Sequence, residues 1–498
     1  MSRPEFAYIV VGGGTAGAIV AARLAEQSGE RVALFEAGPS DEGQERVLQL
    51  RNWPNLLETD LDFDYTIEPQ PFGNSKIRHA RGRVLGGCSS HNSAIAFLTP
   101  DYDLQIWEQM GAKGWSPDEV RPFNQRLLEK VSLETAPPVN QLGVAMIAAA
   151  NQFGLPTLDF SQEPVRRGIG WFQLNKKGEI RQSSSVAYLH PLAQWGDRLT
   201  IFTNVFVSRI LFDQNCRAVG VQTPGGPVYA EREIIIACGA FDTPKLLMLS
   251  GIGPADHLSQ FHIPIVADLP GVGENLLDHP ESVVYWQANR DLPTETTQFW
   301  EIGLFECLED PHGWPDLMFH FGPQAFDMQT VQYGFATSPH AFSLTPNIAR
   351  ARSQGIVRLR SADAAAPPII DFRYFTDPDG YDARILREGV KLARRIVQET
   401  DLRHWVKQEL APGPAYQSDE AISAYARQVH NTVYHPAGTC RMGDPADPLT
   451  VVDPHLRVKG ITGLRVADAS IFPTMIGVNP ALTVYMIGER CADFVLHP

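Results

Sequence analysis

The sequence predicts an α/β protein, mixed α+β overall: a doubly wound nucleotide-binding domain into which a second domain of mixed sheet and helix is threaded. Three observations carry that prediction. The chain opens on a strand, a glycine-rich turn, a helix and a second strand, "YIVVGGGTAGAIVAARLAEQSGERVALFEAG", residues 8–38. Strand and helix chemistry of the same kind returns far along the chain in "EIIIACGAFDTPKLLMLSGIG" and again in "GLRVADAS". Between them lie the strand runs "PDLMFHFG" and "GIVRLRS" and an amphipathic helix over Asp382–Glu399. The expected division assigns residues 1–136, 170–280 and 433–498 to the nucleotide-binding domain, and 137–169 and 281–432 to the second.

The apolar run Tyr8 to Val11 reads as a buried strand, with Gly12, Gly14 and Gly17 in a G-x-G-x-x-G turn into a helix over Ala16–Glu26. A pyrophosphate must approach the backbone at the N-terminus of that helix, at Thr15 and Ala16, where unpaired N–H groups favour negative charge. The second strand, Arg31–Phe35, ends at Glu36, an acid placed to accept hydrogen bonds from an adenosine ribose and to repel a 2′-phosphate. From Gly38 to about Lys76 the pattern breaks into a long loop that contains Trp53 and "DFDY". Residues 195–223 alternate as strands, as in a small sheet inserted into the doubly wound domain. Strand chemistry resumes at Glu233–Ala237 and helix chemistry at Thr243–Ser250, and the C-terminus gives one more strand and a long helix.

At 498 residues, with 44% hydrophobic, the chain can bury two or three domain cores. A formal charge of −15 without a basic block argues against nucleic acid and against an anionic membrane surface, and favours a small cationic or neutral substrate. The six cysteines form no C-x-x-C pair, so no metal site is implied and reduced thiols are expected. No basic-then-apolar leader precedes the first strand and no apolar run has spanning length, so a soluble cytoplasmic protein is expected.

The nucleotide-binding halves sit at opposite ends of the chain, an arrangement suited to a flavin that stays bound, not to a nicotinamide that exchanges. In "RHARGRVLGGCSSHNSAIAFLTP", Gly86 and Gly87 let backbone pass close to a ring or phosphate, and His91 follows on a run of small residues. Together with the N-terminal fingerprint, the stretches "GRVLGGCSSHNS", "GAFDTPKLLMLSGIGP", "HPAGTCRMG", "GLRVADAS" and "NPALT" resemble the glucose–methanol–choline flavoprotein oxidoreductases from about residue 5 to 497. Through "CSSHNS", "DHPES", "QFWEIG", "HFGPQAFDM", "FSLTPN" and "NTVYHPAGT" the sequence is most similar to the choline-oxidising branch of that family.

The resemblance implies FAD, bonded covalently through His91, and O₂ as electron acceptor. The candidate cofactor-binding set is completed by Ser90, Asn92, Val207, Asp468, Ala469, Asn479 and Pro480. Oxidising an alcohol requires that the hydroxyl proton be removed while a hydride leaves carbon, so a proton acceptor and groups that stabilise an alkoxide are needed. His435 and Asn479 are similar in position to the family's catalytic pair, and His320 and Ser93 to residues that hydrogen-bond the substrate oxygen or the moving proton. A trimethylammonium head has no N–H to donate, so aromatic faces and a carboxylate must recognise it. By resemblance Glu281 is that carboxylate, Trp53, Trp300, Phe326 and Tyr434 are the aromatic wall, and the apolar Val433 beside the flavin favours O₂.

The implied activity is oxidation of choline to betaine aldehyde and on to glycine betaine, with O₂ becoming H₂O₂, in a homodimer. Alternatives are a dehydrogenase that passes electrons to a quinone or carrier, a lyase with structural FAD, and a non-catalytic flavin-binding module. Two departures from the family pattern stand out. A loop of roughly twenty residues is missing between "VSLETAPP" and "VNQLGVAM", and "NPAL" stands where the choline-oxidising branch reads "NPNI".

Overall fold

The computed structural model describes residues 5–191, 197–310 and 313–498. Its first sheet is ordered Arg209–Phe212, Ala218–Thr223, Gly226–Ile236, Phe6–Val11, Val32–Phe35, Leu199–Phe202, and Leu464–Val466 adds to the C-terminal half of Gly226–Ile236. Phe6–Val11 is buried throughout because parallel neighbours lie on both sides of it, which is why it reads as an unbroken apolar run. The strands between 199 and 223 are not a separate inserted sheet. Leu199–Phe202 extends the parallel core beside Val32–Phe35, and the next two strands join it antiparallel through the long strand Gly226–Ile236. The start of that run, residues 195 and 196, lies outside the described residues.

The parallel strands present their C-terminal ends to one crevice, the place where open α/β sheets bind ligands. Val11 delivers Gly12, Phe35 delivers Glu36, Ile236 delivers Ala237 to Gly239, and Val466 delivers Asp468 and Ala469, all of which line one cavity. The helix Thr15–Gln27 starts there, one residue before and one after the expected bounds. A Cβ on Gly17 would lie 1.9 Å from the Gly12 carbonyl oxygen, so glycine there lets helix and strand close up. The same helix packs on the C-terminal helix Ala481–Leu496, where Arg23 forks onto Glu489 at 2.7 and 2.9 Å and Tyr188 donates to the same carboxylate at 2.7 Å. The long segment after Gly38 carries local structure, a 3₁₀ stretch Leu50–Leu56 that holds Trp53.

The second large sheet is antiparallel, ordered Val406–Ala411, Val284–Ala288, Ala341–Ile348, Leu317–Gly322, Ile302–Glu306, Gly168–Trp171. Pro280–Glu281 pairs with Ala341–Ile348 on one side and with Asn431–Thr432 on the other. One apolar stripe of the helix Tyr381–Glu399, including Ile385, Val390, Ala393 and Ile396, is buried against this sheet. No helix among the described residues is long and apolar enough to cross a membrane.

Candidate active site

A cavity of about 290 Å³ runs from the Gly12–Ala16 turn to the second sheet. All of the residues expected to act on substrate line it: His435, Asn479, His320, Ser93 and Glu281, with Trp53, Trp300, Phe326, Val433 and Tyr434. The sheet register explains part of this. His320 stands directly opposite Thr345, and Glu281 opposite Asn347 two residues further on, so one face of neighbouring strands carries them all.

The aromatic wall is anchored. Trp53 Nε1 donates to the Gln298 carbonyl at 2.9 Å, and the Trp300 ring meets Phe326 edge to face at 5.2 Å. Tyr434 adopts a left-handed backbone with φ of 63°, sparsely populated for an aromatic residue. That conformation is held by the Tyr434 N–H on Thr432 Oγ1 at 2.7 Å, by Arg81 on the Tyr434 carbonyl, and by the His435 N–H on Asp278 Oδ1 at 3.1 Å.

Hydrogen bonding fixes the protonation of His435. His279 Nε2 contacts two backbone carbonyl oxygens, Ala349 at 3.0 Å and Ile476 at 2.9 Å, and so must carry a hydrogen. Burial holds the His279 pKa at about 4, so its other nitrogen, Nδ1, keeps a lone pair. His435 Nδ1 lies 2.8 Å from that lone pair and therefore donates to it. Nε2 of His435 is left unprotonated, and burial, with His279, His320 and Arg81 nearby, holds the ring neutral. The result is a base with its lone pair on the nitrogen that has no partner among the described residues. His320 is likewise neutral, its pKa lowered to about 3 by burial and by His279.

Glu281 is 4% exposed, and burial pushes its carboxyl up to about 8, against the lowering effect of hydrogen bonds from Thr345 and Asn431. A carboxyl so deprived of solvent ionises readily only where a positive charge or further donors offset the burial.

At the nucleotide end, Glu36 accepts from the N–H groups of Gly13 at 2.9 Å and Gly38 at 2.7 Å, and burial brings its carboxyl to about 7. Asp468 accepts from Gly239 N–H, Thr243 Oγ1 and Ser470 N–H. A Cβ on Gly12 would strike the Ala237 carbonyl oxygen at 2.5 Å, whereas one on Gly14 would come no nearer than 3.7 Å to any protein atom. Glycine at 14 thus leaves room for something other than protein. Thr15, Ala16, Glu36, Gly87, His91, Asn92, Val207, Asp468, Ala469, Asn479 and Pro480 also line the cavity.

Three of the expected cofactor residues do not reach it. Gly17 packs helix on strand. Gly86 sits beneath the turn, its N–H on the Gly13 carbonyl at 2.7 Å, and Ser90 is fully buried with its hydroxyl on the Leu85 carbonyl at 2.7 Å. Conversely His279, Asp278, Arg81 and Thr345 act on the site without having been singled out. The sequence signal for the first two lies in "DHPES", immediately before Glu281.

The sequence matches the GMC oxidoreductase family over residues 6–281 in its N-terminal part and 351–488 in its C-terminal part. The chain belongs to the GMC oxidoreductases. It is 48% identical to choline oxidase of Arthrobacter globiformis over 99% of this chain and 95% of that one, and 34% identical to the mitochondrial choline dehydrogenase of Homo sapiens over 99% and 90%. The alignment with the Arthrobacter protein is longer than this GMC oxidoreductase itself, 519 positions against 498, so that relative carries residues with no counterpart here. In this chain the strand Leu133–Thr135 is followed directly by a helix capped by Asn140, whose side chain accepts from the N–H groups of Leu142 and Gly143. Among solved structures, pyridoxine 4-oxidase from Mesorbium loti superposes with a TM-score of 0.89 at 29% identity, over 98% of each chain.

The cavity fits FAD, the cofactor of this family. Its glycine turn at a helix N-terminus, the unclashed position at Gly14 and the acid at Glu36 suit a dinucleotide. The buried Asn479 Oδ1, unpartnered among the described residues, awaits a donor. When bound, FAD supplies the hydride acceptor.

Proposed function

We propose that this GMC oxidoreductase is an alcohol oxidase that takes choline to betaine aldehyde and on to glycine betaine, reducing O₂ to H₂O₂. The observation that carries the reading is Glu281: a carboxylate buried at the end of an aromatic-walled cavity that also contains the neutral base His435. Aromatic faces and one carboxylate recognise a quaternary ammonium, which offers no directional hydrogen bond. Similarity to proteins named choline oxidase and choline dehydrogenase supports the same substrate.

In this reading His435 Nε2 takes the hydroxyl proton, its tautomer set by His279. Asn479, His320 and Ser93 hold the substrate oxygen, and Glu281 with Trp53, Trp300, Phe326 and Tyr434 holds the ammonium so that the carbinol carbon meets the cofactor. His91 would anchor the flavin covalently: its ring is buried, Nε2 donates to the Leu56 carbonyl at 3.1 Å, and burial lowers its pKa to about 4, so the ring is a neutral nucleophile. Val433 gives an apolar wall on the O₂ side, which favours an oxidase over a dehydrogenase. A homodimer in the cytoplasm belongs to the same proposal and is open to light scattering and cell fractionation.

The test is oxygen consumption with matched H₂O₂ release across choline, betaine aldehyde and neutral primary alcohols. Oxidation of choline and the aldehyde with stoichiometric H₂O₂ is expected. Flavin reduction by choline without O₂ uptake would instead make the protein a dehydrogenase, and absence of both would overturn the reading.

A further inference from the structure

Glu281 is met by one end of a chain of three buried primary amides. Asn431 Nδ2 donates to Glu281 Oε1 at 3.4 Å, Gln329 Nε2 donates to Asn431 Oδ1 at 3.2 Å, and Asn74 Nδ2 donates to Gln329 Oε1 at 2.8 Å. Asn74 is fully buried, and Gln329 and Asn431 are 5% and 2% exposed. An amide can be turned end for end, and nothing in an isolated Asn431 says which end faces the carboxylate. The chain supplies that information. Asn74 Oδ1 accepts the backbone N–H of Lys76 at 2.9 Å, and Asn74 Nδ2 donates to the His430 carbonyl at 3.0 Å. A backbone N–H can only donate and a carbonyl can only accept, so Asn74 has one orientation. That orientation forces Gln329 to receive with Oε1 and give with Nε2. Gln329 in turn forces Asn431 to receive with Oδ1, so that its NH₂ group faces Glu281.

From this we infer that Gln329 and Asn74 are positioning residues for substrate charge: they polarise Asn431 so that a donor faces Glu281, which favours the ionised carboxylate and hence a cationic substrate. Neither touches the cavity. The opposite orientation of Asn431 would face a carbonyl to Glu281 and require the carboxyl to keep its proton. Asp278 already favours that neutral form, as does burial, and the Tyr434 phenol beside Asn431 carries no positive charge to offset them. The amide chain therefore works against both. Its far end reaches the surface, where the half-buried Tyr333 hydroxyl donates to Asn74 Oδ1 at 2.8 Å and the exposed Lys76 ammonium lies over the Tyr333 ring at 4.5 Å.

This inference rests on the reading of Glu281 as the partner of a quaternary ammonium. Its test compares choline with the neutral isostere 3,3-dimethylbutan-1-ol in flavin-loaded protein. Gln329→Met keeps the shape and breaks both links, and KM for choline should rise about tenfold with kcat changed less than about twofold, while KM for the isostere stays put. In an Asn431→Ala background the same substitution should cost less than about twofold, because the relay has lost its last member. A residue that merely supports the fold would give additive effects on both substrates, and that result, or retained discrimination in Gln329→Met, overturns the inference while leaving Glu281 in place. If the wild-type protein itself fails to prefer choline over the isostere, the reading of Glu281 falls and this falls with it. Should Gln329→Met not load flavin, Gln329→Asn, one methylene shorter and unable to span both partners, gives the same comparison.

Discussion

The carboxyl of Glu281 should make cation binding a proton-release reaction. Buried at 4% exposure, it has a pKa of about 8 in the ligand-free site. A trimethylammonium about 5 Å away in a medium of effective dielectric near 20 favours the ionised form by about 3 kcal/mol, or roughly two pKa units, so the bound-state value falls to about 6. At pH 7 the free carboxyl is then mostly protonated and the bound one mostly ionised. Binding should expel about 0.8 proton, and choline affinity should rise about fortyfold between pH 6 and 8.5.

The proton count is read by titration calorimetry with ethyltrimethylammonium, choline without its hydroxyl, in buffers of different ionisation enthalpy. Affinity is read from anaerobic flavin reduction by choline and by 3,3-dimethylbutan-1-ol. Glu36, at about 7, also titrates in this window, but it lies at the nucleotide end and affects both alcohols alike, so their ratio isolates Glu281. Glu281→Gln should abolish proton release and weaken choline binding by about 1.5–3 kcal/mol, ten- to a hundredfold, above pH 8. Near pH 6, where the wild-type carboxyl already carries its proton, the loss should be small. The folding linkage has the opposite sign. A carboxyl raised from its ordinary value of 4.5 to about 8 stabilises the ligand-free fold most at low pH and loses that contribution as pH rises through 8, so Glu281→Gln should gain thermal stability relative to wild type at pH 8.5 and not at pH 4. A choline-to-isostere ratio that stays flat from pH 6 to 8.5 would refute the assignment.

The remaining expectations concern the cofactor and the base. Acid-precipitated protein should keep its flavin colour and His91→Ala should release it to the supernatant; free FAD from the unmodified protein would remove the covalent link. His435→Ala should slow anaerobic flavin reduction by about 10²–10⁴ for each of proton removal and alkoxide stabilisation, with a much smaller change in binding. His279→Ala leaves His435 without its acceptor, so reduction should slow by about ten- to a hundredfold at unchanged choline affinity; an unchanged rate would mean that the tautomer is set elsewhere. Gly14→Val should fold and lose flavin, because its Cβ meets protein only at 3.7 Å, an ordinary van der Waals distance, whereas Gly17→Ala should lower the melting temperature through the 1.9 Å clash with Gly12; circular dichroism and flavin absorbance separate the two.

The doubly wound half was legible because its signals are local: an apolar strand, glycines at fixed spacing and an acid at the end of the next strand. The strands from 199 to 223 are legible as strands but not in their placement, since alternation says nothing about which neighbour a strand takes: Leu199–Phe202 pairs with Val32–Phe35, and the other two join the core through the long strand Gly226–Ile236, parallel on one half and antiparallel on the other. Resemblance found the residues that face the cavity. It missed those that act through another residue, since His279 and Asp278 matter through a ring nitrogen and a backbone N–H, and sequence spacing does not encode a tautomer. It also placed Ser90 and Gly86 one layer too close, because motif membership does not separate a residue that touches a ligand from one that shapes the turn beneath it.

These hidden contacts have one electrostatic result. His79, His91, His279, His320 and His435 all have pKa values pushed down by burial, and Glu281 has its own pushed up to about 8, so the imidazoles and the Glu281 carboxyl of the ligand-free site are held near neutrality. Burying five imidazolium ions or the unpaired Glu281 carboxylate would cost several kcal/mol each. Neutrality removes that cost and leaves His435 as a free base at neutral pH. On the proposed reading the one charge separation forms only with the substrate: a cation would arrive, Glu281 would ionise toward it under the donor of Asn431, and the ammonium would be held while the hydroxyl lay against the base. A neutral alcohol leaves Glu281 protonated and is held by shape alone. Specificity would then reside in a proton that leaves Glu281, and chemistry in a proton taken by His435.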